Sequence, residues 1–282
     1  MGRLEEVIKQ IQPVEVSRTA AIQAQLDNLT KPQGSLGRLE ELAKKYCLIT
    51  GKDKPVIRNK IIFTFAGDHG VAEEGVSAFP REVTPQMILN FLRGGAAVNV
   101  LAKHVGARVI VVDMGVDHDF EPREGLEIRK IGRGTRNMTK GPAMTRDEAE
   151  RAILTGIELV EKYKDGLDLL GTGDMGIGNT TPSSAILSVI TGADPGTVTG
   201  RGTGIDDHSL QHKIVIIKKA ISVNNPDPRD ALDVVAKVGG FEIAGIAGLV
   251  LGAALYRIPV VIDGFISTAG ALPEVCGGAA VQ

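Results

Sequence analysis

The sequence predicts an α/β protein in which helices cover both faces of a mostly parallel β-sheet. A small helical subdomain is predicted at the N-terminal end. Short, continuous apolar runs alternate with helical segments of ten or more residues, and this alternation is typical of βαβ units. The first fifty residues contain no such run. With 282 residues, the chain is long enough to bury a large core.

The N-terminal residues 1–55 are predicted to form a helical small-domain segment. Apolar residues recur there at helical spacing, at Leu4, Val7, Ile8 and Ile11 and again at Leu36, Leu39, Leu42 and Ala43. A turn-rich stretch lies between the two patterns. The remaining residues, 56–282, are assigned to the α/β domain.

Four strands are predicted in that domain, at residues 60–66, 108–113, near 167–170 and at 258–263. Their continuous apolar character favours burial on both faces, as in a parallel sheet. An aspartate within two residues of a glycine follows or ends each strand, namely Asp68, Asp113, Asp174 and Asp263. Open α/β sheets bind ligands at the carboxyl ends of their strands. We therefore expect a polar ligand pocket at this edge.

The helical segments are predicted from local signals. Thr145 and Glu148 form a capping box that begins one helix. Other helices are expected from Thr84 to about His104, from the 200–207 turn through Lys218, and at 229–237 and 241–256. Residues 243–256 are uncharged and apolar but too few to cross a bilayer, which favours a buried helix.

Composition excludes several classes of protein. The formal net charge is -2 and no long basic run occurs, so no nucleic-acid partner is predicted. Cys47 and Cys276 lie far apart and are interpreted as free thiols in a reducing compartment. The charged N-terminus lacks the apolar region of a signal peptide. We expect a cytoplasmic protein with no membrane partner.

A glycine-rich stretch at 171–185 is predicted to be a strand end, a tight loop and a helix start. Thr181 is expected as the N-cap and Pro182 as the first helical residue. Free amides beside glycines form an anion site, and a phosphate is the expected ligand. A second loop at 200–204 could hold the same phosphate. The alternative is a plain βα turn. No Walker motif is present, and the Gly171-x-Gly173-x-x-Gly176 pattern lacks the acidic residue of a dinucleotide site.

Three further features each have two interpretations. His208 and His212 lie four residues apart, but no third zinc ligand is evident, which favours surface histidines. Lys213 is either a solvated charge or a group that reaches the pocket. The turn at 78–87, with Gln86 as its polar group, is either a slot for a planar aromatic molecule or an ordinary loop. These residues indicate a binder of a phosphorylated small molecule and do not define a reaction.

Six segments in one order resemble a known enzyme family. They are residues 29–37 (LTKPQGSLG), 66–71 (AGDHGV), 81–84 (REVT), 174–181 (DMGIGNTT), 200–204 (GRGTG) and 263–266 (DGFI). Together they resemble the nicotinate-nucleotide:dimethylbenzimidazole phosphoribosyltransferases of cobalamin biosynthesis, from about residue 5 to about residue 270.

The resemblance implies transfer of the phosphoribosyl group of nicotinate mononucleotide to 5,6-dimethylbenzimidazole, which gives α-ribazole 5′-phosphate and nicotinate. It also implies a Rossmann-like sheet with a small helical domain and a homodimer. No metal or organic cofactor is expected. The partners are the two small-molecule substrates.

The resemblance also implies site residues. The phosphate and ribose would be held by two glycine-containing loops with Asp263 nearby; the loop residues are Gly173, Gly176, Gly178, Asn179, Thr180, Thr181, Gly202, Thr203 and Gly204. Ser77, Pro80 and Gln86 would line the benzimidazole slot. Asp174 stands where family members usually carry glutamate, and Lys213 could pair with it.

The sequence departs from the family pattern at its end. Family members continue for several dozen residues through a Gly-Glu-Gly-Thr-Gly-type motif whose glutamate is the catalytic base. This sequence ends at Gln282, and Glu274 is not part of such a motif. We therefore expect a C-terminally truncated chain in which no catalytic base is identified. The alternative function is an impaired or non-catalytic nucleotide- or azole-binding protein.

Overall fold

The computed structural model describes residues 2–276, and side chains through Leu272. Gln282 and the end of the predicted tail therefore lie outside the described residues, as do the side chains of Glu274 and Cys276. Cys47 is a buried free thiol.

A five-stranded parallel sheet forms the centre of the fold; a parallel sheet was predicted, but with four strands, and the strand at residues 126–128 was not predicted. Its strands are β1 (Lys60–Gly67), β2 (Ala107–Gly115), β3 (Leu126–Ile128), β4 (Leu169–Met175) and β5 (Val260–Val261). They are ordered β3-β2-β1-β4-β5, and every neighbouring pair is parallel. The chain extends the sheet on one side of β1 and then on the other. The gap between β1 and β4 is therefore a topological switch point, where open α/β sheets bind ligands.

Twelve α-helices are formed by the described residues. They are α1 (Arg3–Gln10), α2 (Thr19–Asp27), α3 (Arg38–Thr50), α4 (Val83–Leu92), α5 (Ala97–His104), α6 (Arg146–Tyr163), α7 (Thr180–Thr191), α8 (Pro195–Val198), α9 (Asp207–Asn224), α10 (Ala231–Val238), α11 (Phe241–Leu255) and α12 (Phe265–Cys276). A 3₁₀ turn, Gly70–Glu74, follows β1.

Both faces of the sheet are covered, as predicted. On one face, Phe63 and Phe65 of β1 pack into a core shared with α6, α10 and α11. On the other face, Ala66 packs with Ile88 and Phe91 of α4. A third cluster joins α7, α9 and α10. These layers leave the carboxyl edge of the strands free for loops.

The predicted buried helix at 241–256 is confirmed as α11, in which all residues from Phe241 to Ala253 are buried. It packs along α6 at backbone contact distance. A Cβ atom on Gly248 would lie 1.8 Å from the carbonyl oxygen of Ile153, and one on Gly156 would lie 2.1 Å from that of Gly245. Only glycine allows the two helices to approach this closely.

The N-terminal segment is helical, as predicted. Leu4 of α1 belongs to the main core, and Arg3 pairs with Glu158 of α6 at 2.6 Å. Helices α2 and α3 pack on each other, and Glu40 forms a buried ion pair with Lys31 at 2.8 Å. The boundary near residue 55 stays a prediction.

The expectation for the start of α7 was wrong. The N-cap is Asn179, not Thr181, and Pro182 is the third helical residue. The backbone N–H of Thr181 donates to the carbonyl of Gly178 at 3.0 Å, and its fully buried hydroxyl has no partner among the described residues. The Thr181 side chain is therefore enclosed and does not cap the helix.

The other differences concern where elements end. Gly173 and Asp174 belong to β4 and not to a loop, because they continue to pair with Thr64 and Phe65 of β1. The single helix expected from Thr84 to His104 is two helices, which are separated at Gly94, where φ is +78°. Strand β5 has two residues, so Asp263 follows it.

Candidate active site

The candidate site lies where β1 and β4 end. Ile177, in the loop after β4, donates its backbone N–H to the buried hydroxyl of Thr84 in α4 at 3.1 Å. This bond ties the loop to the helix that follows β1. A cavity of about 490 Å³ beside it is lined by residues that include Thr180, Gly202 and Phe265.

The loop after β4 requires its glycines. A Cβ atom on Gly176 would lie 2.4 Å from the carbonyl oxygen of Gly67 and 3.0 Å from Nε2 of His69. Gly178 has φ of +89°, which is unfavourable for other residues. The loop backbone therefore packs directly against the end of β1.

The first turn of α7 offers fewer free amides than the sequence predicts. Thr181 donates to Gly178, Ser183 donates to Asn179 at 3.1 Å, and Pro182 has no N–H. A helix N-terminus attracts anions mainly through unpaired N–H groups. A phosphate here needs another source of positive charge.

Lys213 of α9 is a buried, positively charged group beside this turn. Its side chain is 1% exposed, and Nζ donates to the hydroxyl of Thr180 at 2.5 Å. A Cβ atom on Gly202 would lie 3.2 Å from the same Nζ. Burial lowers the pKa of Lys213 to about 8. The ammonium group thus lies between the two glycine-containing loops.

The second loop meets the predicted benzimidazole slot. Gly202 and Gly204 both have positive φ, +53° and +91°. Between them, the Thr203 hydroxyl accepts the backbone N–H of Ala78 at 3.2 Å and lies 3.5 Å from the Ser77 hydroxyl. Residues 77–80 and 202–204 are therefore neighbours.

Asp174 is the acidic group nearest the loop. Its Oδ2 accepts a hydrogen bond from the Asn179 side chain at 2.9 Å. Burial raises the pKa of Asp174 to about 6, although the Asn179 hydrogen bond opposes this, and the charges of Glu242 and Asp263 raise it further. At neutral pH the group is mostly ionised.

A buried ion pair lies below the loop. His69 Nε2 and Glu242 Oε1 are 2.7 Å apart, and the two side chains are 1% and 0% exposed. Burial alone lowers the pKa of His69, but the Glu242 carboxylate outweighs it and the net shift is upward. The imidazole therefore binds its proton more readily than a free histidine does.

Comparison with known proteins assigns the family. A family model described as phosphoribosyltransferase matches residues 11–276. The crystal structure of CobT from Thermus thermophilus superposes with a TM-score of 0.88 at 41% identity, and the alignment covers 98% of this chain and 80% of that one.

Curated relatives give the same result. The nicotinate-nucleotide–dimethylbenzimidazole phosphoribosyltransferases of Geotalea uraniireducens (strain Rf4) and Geobacter sulfurreducens are 64% and 60% identical, over 96% of this chain and 78% of each relative. The chain belongs to this phosphoribosyltransferase family. The six segments that carried the resemblance therefore identified the family correctly.

Within this family fold, the residues predicted for phosphate and ribose meet in one place. The loops that contain Gly176 and Gly202 converge on Lys213. The expected Lys213–Asp174 pair is wrong, because the lysine contacts Thr180 and the aspartate contacts Asn179. Their roles in binding stay predictions.

The residues predicted for the benzimidazole slot are only partly brought together. Ser77 lies beside Thr203, whereas Pro80 and Gln86 are exposed on the surface of the described chain. Asp263 is also exposed, and its backbone N–H donates to Thr172 at 3.2 Å. Their assignment as substrate contacts stays a prediction.

The four aspartates at the strand ends lie at one edge of the sheet, but two of them accept hydrogen bonds from backbone N–H groups. Asp68 Oδ2 accepts the N–H of Asp117 at 2.8 Å. Asp113 accepts the N–H groups of Gly115 and Val116 and pairs with Lys130 at 2.8 Å.

The two histidines of α9 lie on the surface, as predicted. His208 is exposed, and His212 Nε2 lies 2.7 Å from the carbonyl oxygen of Glu74. Across residues 2–276, no group of three or more potential metal-ligating side chains comes together.

Sequence reasoning missed the His69–Glu242 pair. The two residues are 173 positions apart, so no local pattern joins them. The available signal was Glu242 itself, an acidic residue at the start of a helix that is otherwise uncharged and apolar.

Proposed function

We propose that this protein transfers the phosphoribosyl group of nicotinate mononucleotide to 5,6-dimethylbenzimidazole and releases nicotinate and α-ribazole 5′-phosphate. One observation supports this most strongly. A buried lysine lies between two glycine-containing loops at the switch point, in a chain that is 64% identical to an enzyme named for this reaction.

The phosphate of the nucleotide is assigned to the loops at 176–180 and 202–204. Lys213 contributes the positive charge, and the hydroxyl of Thr180 lies between it and the cavity. The glycines allow the phosphate to approach the backbone closely. Most of the binding energy of nicotinate mononucleotide before the reaction is thus assigned to its phosphate group.

Asp174 is assigned to the stabilisation of the transition state. Departure of nicotinate leaves positive charge on the ribose, and a carboxylate nearby stabilises that charge. Asp174 is mostly ionised at neutral pH because its raised pKa is still only about 6. The attacking benzimidazole also loses its ring proton, a step that needs a base.

The acceptor is assigned to the slot that Ser77, Pro80 and Gln86 would line. The contacts of Ser77 and Ala78 with Thr203 support an acceptor next to the nucleotide loops. Ser77 and Gln86 supply polar groups, and Phe79, which is 51% exposed, supplies apolar surface.

We also propose a homodimer and a cytoplasmic location. The homodimer rests on the family resemblance, and sedimentation velocity would test it; a monomer at micromolar concentration contradicts it. The location rests on the free thiol of Cys47, which is typical of a reducing compartment. Among the described helices, none is both long enough and apolar enough to cross a membrane.

A chromatographic assay tests the reaction. Nicotinate mononucleotide and dimethylbenzimidazole are incubated with the protein, and α-ribazole 5′-phosphate and nicotinate are quantified together. Equal amounts of the two products are expected. Binding of nicotinate mononucleotide without any product would contradict the transferase assignment and leave a nucleotide-binding protein.

A matched pair of lysine variants tests the phosphate assignment. Lys213→Met should weaken nicotinate mononucleotide binding roughly 10- to 100-fold, because a hydrogen bond to a charged group contributes about 1.5–3 kcal/mol. Lys219→Met, on the exposed side of the same helix, should bind like the wild type. Equal affinity of both variants, measured by calorimetry, contradicts the assignment.

A further inference from the structure

The His69–Glu242 pair has no direct part in the reaction proposed above. It connects the residue that follows Asp68, at the end of β1, with the first turn of α11. Neither side chain is accessible to a ligand, since both are at most 1% exposed. Any effect on the reaction must therefore act through neighbouring groups.

Three glycines enclose the pair. A Cβ atom on Gly67 would lie 2.9 Å from Glu242 Oε2, and one on Gly240 would lie 2.4 Å from Cε1 of His69. A Cβ atom on Gly176, in the phosphate loop, would lie 3.0 Å from Nε2 of His69. The backbone of the phosphate loop thus rests on the imidazole, and no space separates them.

The pair is incompletely satisfied. Within the described residues, Glu242 Oε2 and His69 Nδ1 are buried and have no hydrogen-bond partner. A buried ion pair is weak evidence for stability, because the desolvation of both charges offsets their attraction. A role in fixing the neighbouring loop and its charges accounts for its place in the fold better than stability does.

We propose that His69 and Glu242 are positioning residues for phosphoribosyl transfer, which as a buried pair hold the backbone at Gly176 and act on Asp174 through their charge. This inference rests on the function proposed for the site. It assigns an effect on the reaction to two residues that lie below the loops and do not touch the substrates.

The charged groups around the pair give the direction of its effect. Asp68, Asp174, Asp263 and Arg81 face this region from the ends of β1, β4 and β5 and from the segment before α4. The Glu242 carboxylate raises the pKa of Asp174 more strongly than His69 lowers it. Removing the Glu242 charge should therefore lower that pKa.

Carbon-13 NMR of labelled aspartate carboxyls measures the effect directly. Asp174→Asn assigns the resonance, and its titration is compared in the wild type and in Glu242→Gln. We expect a lower midpoint in Glu242→Gln. Glu40→Gln, which removes the buried carboxylate of α3 that pairs with Lys31, serves as the control and should leave the midpoint unchanged.

Binding of nicotinate mononucleotide to the same variants tests the effect on the loop. Folded Glu242→Gln should bind it about tenfold or more weakly, as is common when a group that orients a binding residue is removed. Glu40→Gln should bind it normally. A folded Glu242→Gln with wild-type affinity and an unshifted Asp174 midpoint overturns the proposal.

Two further outcomes separate this inference from the proposed function. If the wild type binds no nicotinate mononucleotide while the Asp174 midpoint shifts as expected, the proposed function fails and the charge coupling stands. If Glu242→Gln does not fold, His69→Gln replaces it in the binding measurement, because its amide still donates to Glu242. Wild-type affinity in folded His69→Gln then overturns the inference.

Discussion

Burial shifts the pKa values of two ionisable side chains at the site in opposite directions. Lys213 and Asp174 contact adjacent residues, Thr180 and Asn179. Burial brings the pKa of the lysine down to about 8 and that of the aspartate up to about 6. Near neutral pH both groups are mostly charged, which suits the binding of an anionic nucleotide and the stabilisation of a cationic sugar.

Asp174 gives a prediction for stability against pH. Its folded-state pKa of about 6 lies above the ordinary value of 3.8, so the folded protein binds this proton more tightly than the unfolded chain does. The stability that protonation provides is present at low pH and is lost as pH rises from about 4 to about 6. Relative to Asp174→Asn, the wild type should lose roughly 3 kcal/mol across this range.

Urea unfolding of both proteins between pH 4 and pH 7 would measure this difference. The contributions of the other titrating groups to the unfolding free energy cancel in the difference, because the two proteins differ only at residue 174. Unfolding free energies that change in parallel over the whole range would contradict the assignment of the raised pKa to Asp174.

At the scale of elements, sequence patterns correctly predicted those strands and helices that depend mainly on residues close together in the chain. The continuous apolar runs of β1 and β2 and the Thr145–Glu148 capping box of α6 are confirmed. The far end of β4 could not be predicted, because Gly173 and Asp174 are extended only through pairing with β1, about a hundred residues earlier.

The same distinction applies to the site. The glycine-containing loops have a local sequence signature and were predicted. The burial of Lys213 depends on where α9 meets Gly202 and Thr180, so its sequence allowed two interpretations. The predicted start of α7 was wrong because the Asn179 side chain donates a hydrogen bond to Asp174, and that bond depends on where β4 ends.

The close contact between α6 and α11 predicts that a glycine-to-alanine substitution in it will destabilise the protein, which is the opposite of its ordinary effect in a helix. Alanine in place of a helical glycine ordinarily stabilises a protein by about 0.5–1 kcal/mol. At Gly248 the new Cβ would lie 1.8 Å from a backbone carbonyl oxygen. Gly248→Ala should therefore destabilise the protein by roughly 1–3 kcal/mol or more.

Gly252→Ala provides a graded comparison. Its Cβ would meet the Val160 side chain at 3.0 Å, and a side chain yields more easily than backbone. In thermal unfolding, the melting temperature should decrease in the order wild type, Gly252→Ala, Gly248→Ala. A gain in stability for Gly248→Ala would show that the helices do not approach as closely as described.

At the scale of the whole molecule, the order of the strands places the site. The chain lays β2 and β3 on one side of β1 and then β4 and β5 on the other. This reversal leaves a crevice between β1 and β4, where the loop after β4 contacts the helix that follows β1. Because such crevices recur in open α/β sheets, the strand ends alone indicated this edge as the place for a ligand pocket, which stays a prediction.

Ligand binding at this crevice should stabilise the whole fold. At a concentration one hundred times its Kd, nicotinate mononucleotide should raise the unfolding free energy by about 2.7 kcal/mol. Nicotinate riboside, which lacks the phosphate, should stabilise the protein less at the same concentration. Equal stabilisation by the two compounds, followed by calorimetric unfolding, would contradict a phosphate-centred site.

The glycine contacts between α6 and α11 also limit how the molecule can move. Two helices whose backbones touch cannot slide past each other without breaking that contact, so α11 serves as a fixed reference for Glu242 and the loop above it. We expect motion that admits a second substrate to occur instead in the segments at 77–80 and 202–204, where Gly202 and Gly204 have positive φ. Slow amide exchange along α11 and fast exchange in those segments would be the signature of this division.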